Sequence, residues 1–255
     1  MRITVILDLA LVLWFMLLAG VELSTARRRG ITETAGDGRL VTNFGLGALV
    51  LAFNALLPMI KVGSSVAGQT VGAGLAVRFS WPWAVTLVVL VVADSFVSYW
   101  THRAMHAVPA LWRIHRVHHS DMLVDVSTSL RNHPLELLVS IPVLILIFVL
   151  GAPPSAVVAA QTILLAAAIW QHADIEPSRF ERILATLLIT PAIHRLHHSP
   201  ERALHDGNYG GLITLWDRLF GTFRIREGRG RVGLDGQVAR SDRLLEQIWS
   251  PVYAP

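Results

Sequence analysis

The chain has 255 residues, 53% of them hydrophobic and only 16% charged, with a net charge of +4 and a mean hydropathy of +0.52. A soluble domain normally keeps about a quarter of its residues charged, so lipid is expected to be the solvent for much of this surface. The absence of cysteine excludes disulfides, thiolate-ligated metal or iron–sulfur centres and a cysteine nucleophile.

A membrane-spanning helix needs about 20 mostly apolar residues. The first such run, at about 5–23, has only Arg2 before it and Arg27, Arg28 and Arg29 after it. A cleaved signal peptide would carry the opposite asymmetry, so the run reads as a retained anchor. Further apolar runs follow at about 42–61, 82–100, 135–151 and 154–171. The last two are parted by Gly151-Ala152-Pro153-Pro154, a break suited to a helical hairpin. Residues 62–80, rich in Gly, Ser and Val, read as a loop or an interfacial segment. Beyond Thr222 the chain turns polar and Gly/Arg-rich, and residues 224–255 read as a peripheral tail.

The expected fold is therefore all-α, a polytopic integral membrane protein of four or five transmembrane helices with a histidine-rich helical cap. With five spans and the N-terminus outside, 19 of the 22 Lys/Arg residues fall on the inner side, which the positive-inside rule makes cytoplasmic. Every histidine falls there too. Basic residues that flank apolar runs suit a membrane surface, and no nucleic-acid role is expected.

Eight of the eleven histidines form three compact groups: His102 and His106; His115, His118 and His119; His194, His197 and His198. Residues three and four apart share a helix face, and Pro109 allows a turn that brings the first two groups together. Neutral imidazole is the commonest protein ligand for first-row metals. A lone histidine is more often a capped or hydrogen-bonded side chain. Eight at this spacing exceed what one ion needs and fit two metal ions sharing a site.

The three groups read HxxxH, HxxHH and HxxHH. With Asp94, Tyr99-Trp100, Leu111-Trp112, Trp170-Gln171-His172, Asn208-Tyr209-Gly210-Gly211 and the block Leu215–Phe223, the chain resembles the fatty acid hydroxylase and sterol desaturase superfamily of membrane di-iron enzymes. The closing block is most similar to the branch containing sterol desaturase-like proteins and alkylglycerol monooxygenase. The resemblance runs from about Asp94 to Phe223. It implies a di-iron catalytic domain at 81–223; residues 1–80, which carry no family motif, read from their apolar runs as a membrane anchor region, and 224–255 as the tail. It implies two iron ions on the eight histidines, with His172 as a ninth ligand. Some relatives carry a further histidine four residues earlier, where this chain has Ala168.

Four residues are candidates for supporting the ligands. Asp94, inside a span, shares a helical face with Ser98 and His102 and is expected to orient a ligand imidazole. His133, beside Pro134 at a helix start, reads as a ligand, a headgroup contact or a cap, with the cap or a supporting role preferred. Asp206 and Asn208 lie in the loop after the third group, where His205 reads as solvent-exposed. Trp216-Asp217-Arg218 reads as a structural latch with an Asp–Arg pair, and Arg103, Arg116 and Arg195 as facing phosphate or water.

The resemblance further implies that O₂ is the co-substrate, activated at two reduced irons, that a hydrogen atom is abstracted from a membrane lipid, and that either oxygen rebound gives an alcohol or a second abstraction gives an alkene. Unactivated C–H bonds are beyond acid–base side chains. With no cysteine cluster, dinucleotide fingerprint or evident haem domain, electrons are expected from a separate reductase or carrier protein. The rival reading from another class, a metal transporter or sensor, predicts polar residues along several spans.

Overall fold

The computed structural model describes residues 2–29, 37–53, 55–72, 74–226, 230–235 and 241–253. Among these it is helical, with no strand beyond an isolated bridge between Leu188 and Ile213. The helices are α1 (Arg2–Arg29), α2 (Asp37–Phe53), α3 (Leu57–Thr70), α4 (Leu75–Arg78), α5 (Trp83–Ala107), α6 (Pro109–His119), α7 (Ile141–Leu150), α8 (Pro154–Gln171), α9 (Arg179–Leu184), α10 (Pro191–His197), α11 (Arg202–His205), α12 (Leu215–Leu219) and α13 (Leu244–Tyr253). Two 3₁₀ turns, Val126–Leu130 and Pro134–Ser140, lie between α6 and α7.

Four stretches are long and apolar enough to cross a membrane: Val5–Ala26, Gly38–Arg78, Trp83–Ala107 and Pro154–Gln171. Their large side chains face outward, as in the row Leu9, Leu13 and Met16 of α1, because lipid rather than protein solvates them. The protein is an integral membrane protein. The expected span 135–151 is instead a 3₁₀ turn followed by the ten-residue α7.

Residues 62–80 are not a loop. Most of them continue α3 or form α4, because their small side chains let backbones approach closely. A Cβ on Gly68 would lie 2.0 Å from the Phe148 carbonyl oxygen, and one on Gly151 would lie 2.6 Å from the Gly74 Cα. Gly151 also ends α7 in the left-handed region at φ +54°, where glycine alone is unstrained. Ser65 Oγ donates to the Ala152 carbonyl, and Gln69 Nε2 to that of Gly151 at 3.1 Å. The end of α3 is thus fastened to the α7–α8 turn. Leu90, Ile147, Val157 and Ala160 form the core there.

The opposite end of the bundle carries the histidines. Glu22 of α1 accepts from the backbone N–H groups of Val126 and Asp174. Arg39 of α2 pairs with Asp121 at 2.6 Å and Asp125 at 2.8 Å. The tail is less peripheral than its composition suggests: α13 packs on α2 and α6, and Gln247 Oε1 accepts from Ser120 Oγ at 2.9 Å. The flanking Arg2, Arg27, Arg28 and Arg29 side chains lie outside the described residues.

Candidate metal centre

Four helix ends bring the histidines together. Val108 is extended (φ −96°, ψ 116°), as a residue before proline prefers, and Pro109 opens α6 at its first position. The chain therefore turns sharply between His106 and His115. His172 caps α8, and Thr190 starts α10, which carries His194 and His197 and ends at His198.

The nine predicted ligands fall into two groups. His102, His106, His115, His119 and His197 form one, and His118, His172, His194 and His198 the other, with the donor atoms of each group within 4.8 Å of one another. The division cuts across the sequence motifs by a simple rule. Histidines four apart share a group (102 with 106, 115 with 119, 194 with 198), while the one three along crosses to the other group (118 and 197). At about 100° per residue, four steps return to the same side of a helix with a lead of about 40°, and three fall about 60° short.

Within each group the Nε2 atoms converge. His102 lies 3.1 Å from His115 and 2.9 Å from His197. His172 lies 3.1 Å from His118 and 3.0 Å from His194, which is 3.2 Å from His198. With its proton given from Nδ1 to the Ala168 carbonyl, a neutral His172 has no Nε2 proton for either neighbour. These separations do suit nitrogens held about 2.0–2.1 Å from a common ion.

The protonation state fits as well. Burial, then neighbouring imidazoles, hold His118, His119, His194, His197 and His198 well below the usual histidine range. Burial brings His172 down to about 4, against the carbonyl bond that favours its charged form. Neutral rings keep a lone pair for a metal. Both ring nitrogens of His106 and of His119 are buried without a hydrogen-bond partner, which an occupying ion would relieve. The donor set therefore fits two first-row metal ions.

The other ring nitrogen is mostly directed by backbone. Nδ1 donates to the carbonyl of Tyr209 from His102 (2.9 Å), of Arg131 from His118 (3.1 Å), of Ala168 from His172 (2.6 Å) and of Gly207 from His197 (2.8 Å). Carboxylates approach two more rings: Glu136 Oε1 lies 3.5 Å from His115 Nδ1, and Asp206 Oδ1 lies 3.6 Å from His106 Nδ1. The four carbonyl bonds fix ring orientation and tautomer, whereas the two carboxylates stand just beyond hydrogen-bond reach.

The carbonyls are themselves held. Arg131, fully buried, donates to Val117 O (2.9 Å), Asn43 Oδ1 (2.8 Å), Ser120 Oγ (2.9 Å) and Ser241 O (2.6 Å). Asp217 accepts from Tyr209 N, Gly210 N (both 2.8 Å) and Thr222 Oγ1 (2.7 Å). Asn208, at φ +56°, bridges Ile193 O and Arg224, steadying the loop that supplies the Gly207 and Tyr209 carbonyls.

Several expectations are corrected. Asp94 does not orient a ligand: it accepts from Ser98 Oγ and Gln161 Nε2, both at 3.1 Å, and Gln161 in turn accepts from Lys61. It belongs to a self-satisfied polar link inside the bundle. For His133 the preferred cap reading holds: its Nδ1 accepts from Leu135 N at 3.1 Å and its Nε2 donates to Ile248 O at 3.0 Å, so it caps the turn and also ties down α13. His205 is not solvated but stacks on Trp112 at 5.4 Å and 13°. Asp217 does not pair with Arg218, which lies over the Phe223 ring and bonds Thr214 and Ala185. Trp216 does latch, donating to Ser95 Oγ at 2.9 Å. Arg116 and Arg195 reach carbonyls, of Ser250 and Val124, rather than only solvent, and Arg103 lies over Trp100 and donates to Tyr99 Oη at 3.2 Å. Glu136 went unassigned, although its place three residues after His133 on a proline-started turn could have flagged it.

Fold and site together define a polytopic helical membrane protein built around a paired histidine centre. Residues 87–222, more than half of the chain and including all nine histidines, match the fatty acid hydroxylase family, and the chain belongs to that family. It is 33% identical over 165 residues to alkylglycerol monooxygenase of Homo sapiens, covering 62% of this chain and 36% of that protein. It is 31% identical over 174 residues to ornithine lipid hydroxylase OlsE of Rhizobium tropici (67% and 51%), and 31% over 146 residues to lathosterol oxidase of Homo sapiens (55% and 46%). The chain thus spans about a third to a half of these relatives. No solved structure matches it.

Proposed function

We propose that this chain is a membrane-bound, O₂-dependent di-iron oxidoreductase that hydroxylates a C–H bond of a lipid. The observation that carries the reading is the division of nine mostly buried histidines into a group of five and a group of four, each with donor atoms within 4.8 Å. When bound, the two irons supply the O₂ activation and hydrogen abstraction that no side chain here can perform. The chain's own work is to present unprotonated Nε2 atoms, hold the rings through backbone carbonyls, and keep water from the centre by burial.

An apolar groove of about 560 Å³, lined by Val88, Val89, Val92, Ala93, Phe96 and Trp216, runs along the lipid side of α5 below His102. It suits the hydrocarbon part of a substrate that enters sideways from the bilayer. The polar end of that lipid lies at the histidine face, which the arginine distribution makes cytoplasmic, and a separate reductase or carrier delivers electrons there. Hydroxylation is favoured over desaturation because two of the three relatives above are named for oxygen insertion. A transport reading fares worse: Lys61, Gln161 and Asp94 satisfy one another rather than lining a path.

The test is metal analysis of the purified protein, followed by lipidomics under ¹⁸O₂ in cells with and without it. Two irons per chain and a lipid gaining one labelled oxygen are expected. Selective metal flux in vesicles with no O₂-dependent lipid product would overturn the proposal.

A further inference from the structure

Beside the five-histidine group lies a second set of donors, of which only His106 also belongs to the proposed centre. His106, His205 and Asp206 also bring their ligand atoms within 4.8 Å of one another. His106 Nδ1 and His205 Nε2 each lie 3.6 Å from the same oxygen, Asp206 Oδ1.

Neither contact is a hydrogen bond, because 3.6 Å is too long for one. In the neutral ring, the His205 Nδ1 proton is already given to the Ser199 carbonyl at 3.2 Å, leaving Nε2 as a bare acceptor facing an acceptor. His106 has both ring nitrogens buried and unpartnered. Arg202 Nε, on an exposed side chain, donates to the other carboxylate oxygen, Oδ2, at 2.9 Å, and Trp112 stacks flat on His205. When the neutral His106 ring carries its proton on Nε2, three acceptors face one point with no donor between them. Edges of 3.6 Å are close to the ligand–ligand spacing around an ion about 2.1 Å from each donor.

Exposure grades inward along the set, from 34% for the Asp206 side chain through 12% for His205 to 1% for His106. His106 belongs to both sets, but a neutral ring offers one lone pair at a time, so it serves the outer site before it serves the five-histidine group. Two imidazoles and a carboxylate are a donor set suited to Fe(II).

We propose that His205 Nε2, Asp206 Oδ1 and His106 Nδ1 form an outer site for a divalent first-row metal ion, through which iron passes from solvent to the five-histidine group. The inference rests on the metal centre proposed above, but its test separates the two. Chelator-stripped full-length protein in nanodiscs is mixed anaerobically with Fe(II), and both the rate of uptake and the final metal content are read. His205→Phe keeps the ring on Trp112 and removes the nitrogen; its melting temperature, compared with that of the parent, checks the fold. About a ten-fold slower uptake with unchanged final content is expected, at the low end of what outer partners contribute to metal binding. An unchanged rate would overturn the inference and leave the centre standing. A lower final content would also overturn it, by making His205 a ligand of the centre. Failure of the parent protein to take up any ion would overturn the centre itself.

Discussion

Replacing Asp217 by asparagine keeps the shape of the side chain and changes one atom from acceptor to donor. In the parent, Oδ1 accepts from Tyr209 N and Thr222 Oγ1, and Oδ2 from Gly210 N at 2.8 Å. The amide oxygen can keep the first two bonds, but its NH₂ then faces the Gly210 N–H, donor against donor. The loss is one charge-assisted bond, worth about 1.5–3 kcal/mol, plus an unpaired buried N–H at about 1–3 kcal/mol. Because the two overlap, about 3 kcal/mol of destabilisation is expected. The same change frees the Tyr209 carbonyl that directs His102, so affinity for metal should fall about 10–100-fold. Thermal melting in detergent and competition against a graded chelator read the two effects. Arg218→Ala is the control: this arginine bonds Thr214 and Ala185 instead of Asp217, and its loss should cost under about 1 kcal/mol. The reasoning fails if Asp217→Asn retains the parent's melting temperature and metal affinity, or if the two variants behave alike.

His118→Ala removes one of four ligands from its group and should lower iron content from two toward one per chain and abolish lipid oxidation, with membrane insertion unchanged; full content and activity would sink the assignment. Arg131→Met strands the Val117 and Ser241 carbonyls and Asn43 in the interior, so a loss of about 1–3 kcal/mol for each group left unpaired is expected, read as a lower denaturation midpoint. The metal-free protein should lose stability as the pH falls. The cluster histidines titrate lower when folded than unfolded, so the unfolded chain binds more protons below about 6.5 and stability drops from there toward the folded values. His172, held at about 4, contributes on the order of 3 kcal/mol across that window. A chelator-treated sample whose melting temperature stayed level between pH 7.5 and 5 would refute this.

The features legible in the sequence are those that periodicity encodes. Apolar runs marked most of the membrane helices, the spacing of eight histidines marked most of the centre, and Pro109 marked the turn between α5 and α6. What orients the imidazoles stayed hidden, because four of the partners are backbone carbonyls, and every residue has one. Asp94 misled because helical phase says which residues share a face, not what the neighbouring helices place against it. Lys61 and Gln161 come from α3 and α8. The 62–80 segment misled in the opposite way: glycine and serine signal a loop in water, but in a membrane bundle they mark close helix contact. The polar tail concealed α13, whose Gln247 side chain and Ile248 and Ser250 carbonyls meet Ser120, His133 and Arg116.

The sorting of histidines by fours and threes also shows what the centre lacks. The five-histidine group is two i,i+4 pairs, 102/106 and 115/119, plus His197; the four-histidine group is one such pair, 194/198, plus His118 and His172. The groups mirror each other except that His172 has no partner one turn back, where Ala168 stands. That turn is regular helix, for α8 runs through it and His172 Nδ1 meets the Ala168 carbonyl. A side chain at 168 therefore projects on the same side as His172. A metal that does chemistry keeps a ligand position open, while one that only holds structure is closed by protein. Ala168 would then leave room beside the four-histidine group for a non-protein ligand on the second of the proposed ions. Ala168→His should fill that position, slow extraction of the second iron by chelator about ten-fold, and lower turnover if the position serves the reaction. Unchanged extraction would show that residue 168 does not reach the ion, and the mirror relation between the groups would fail with it.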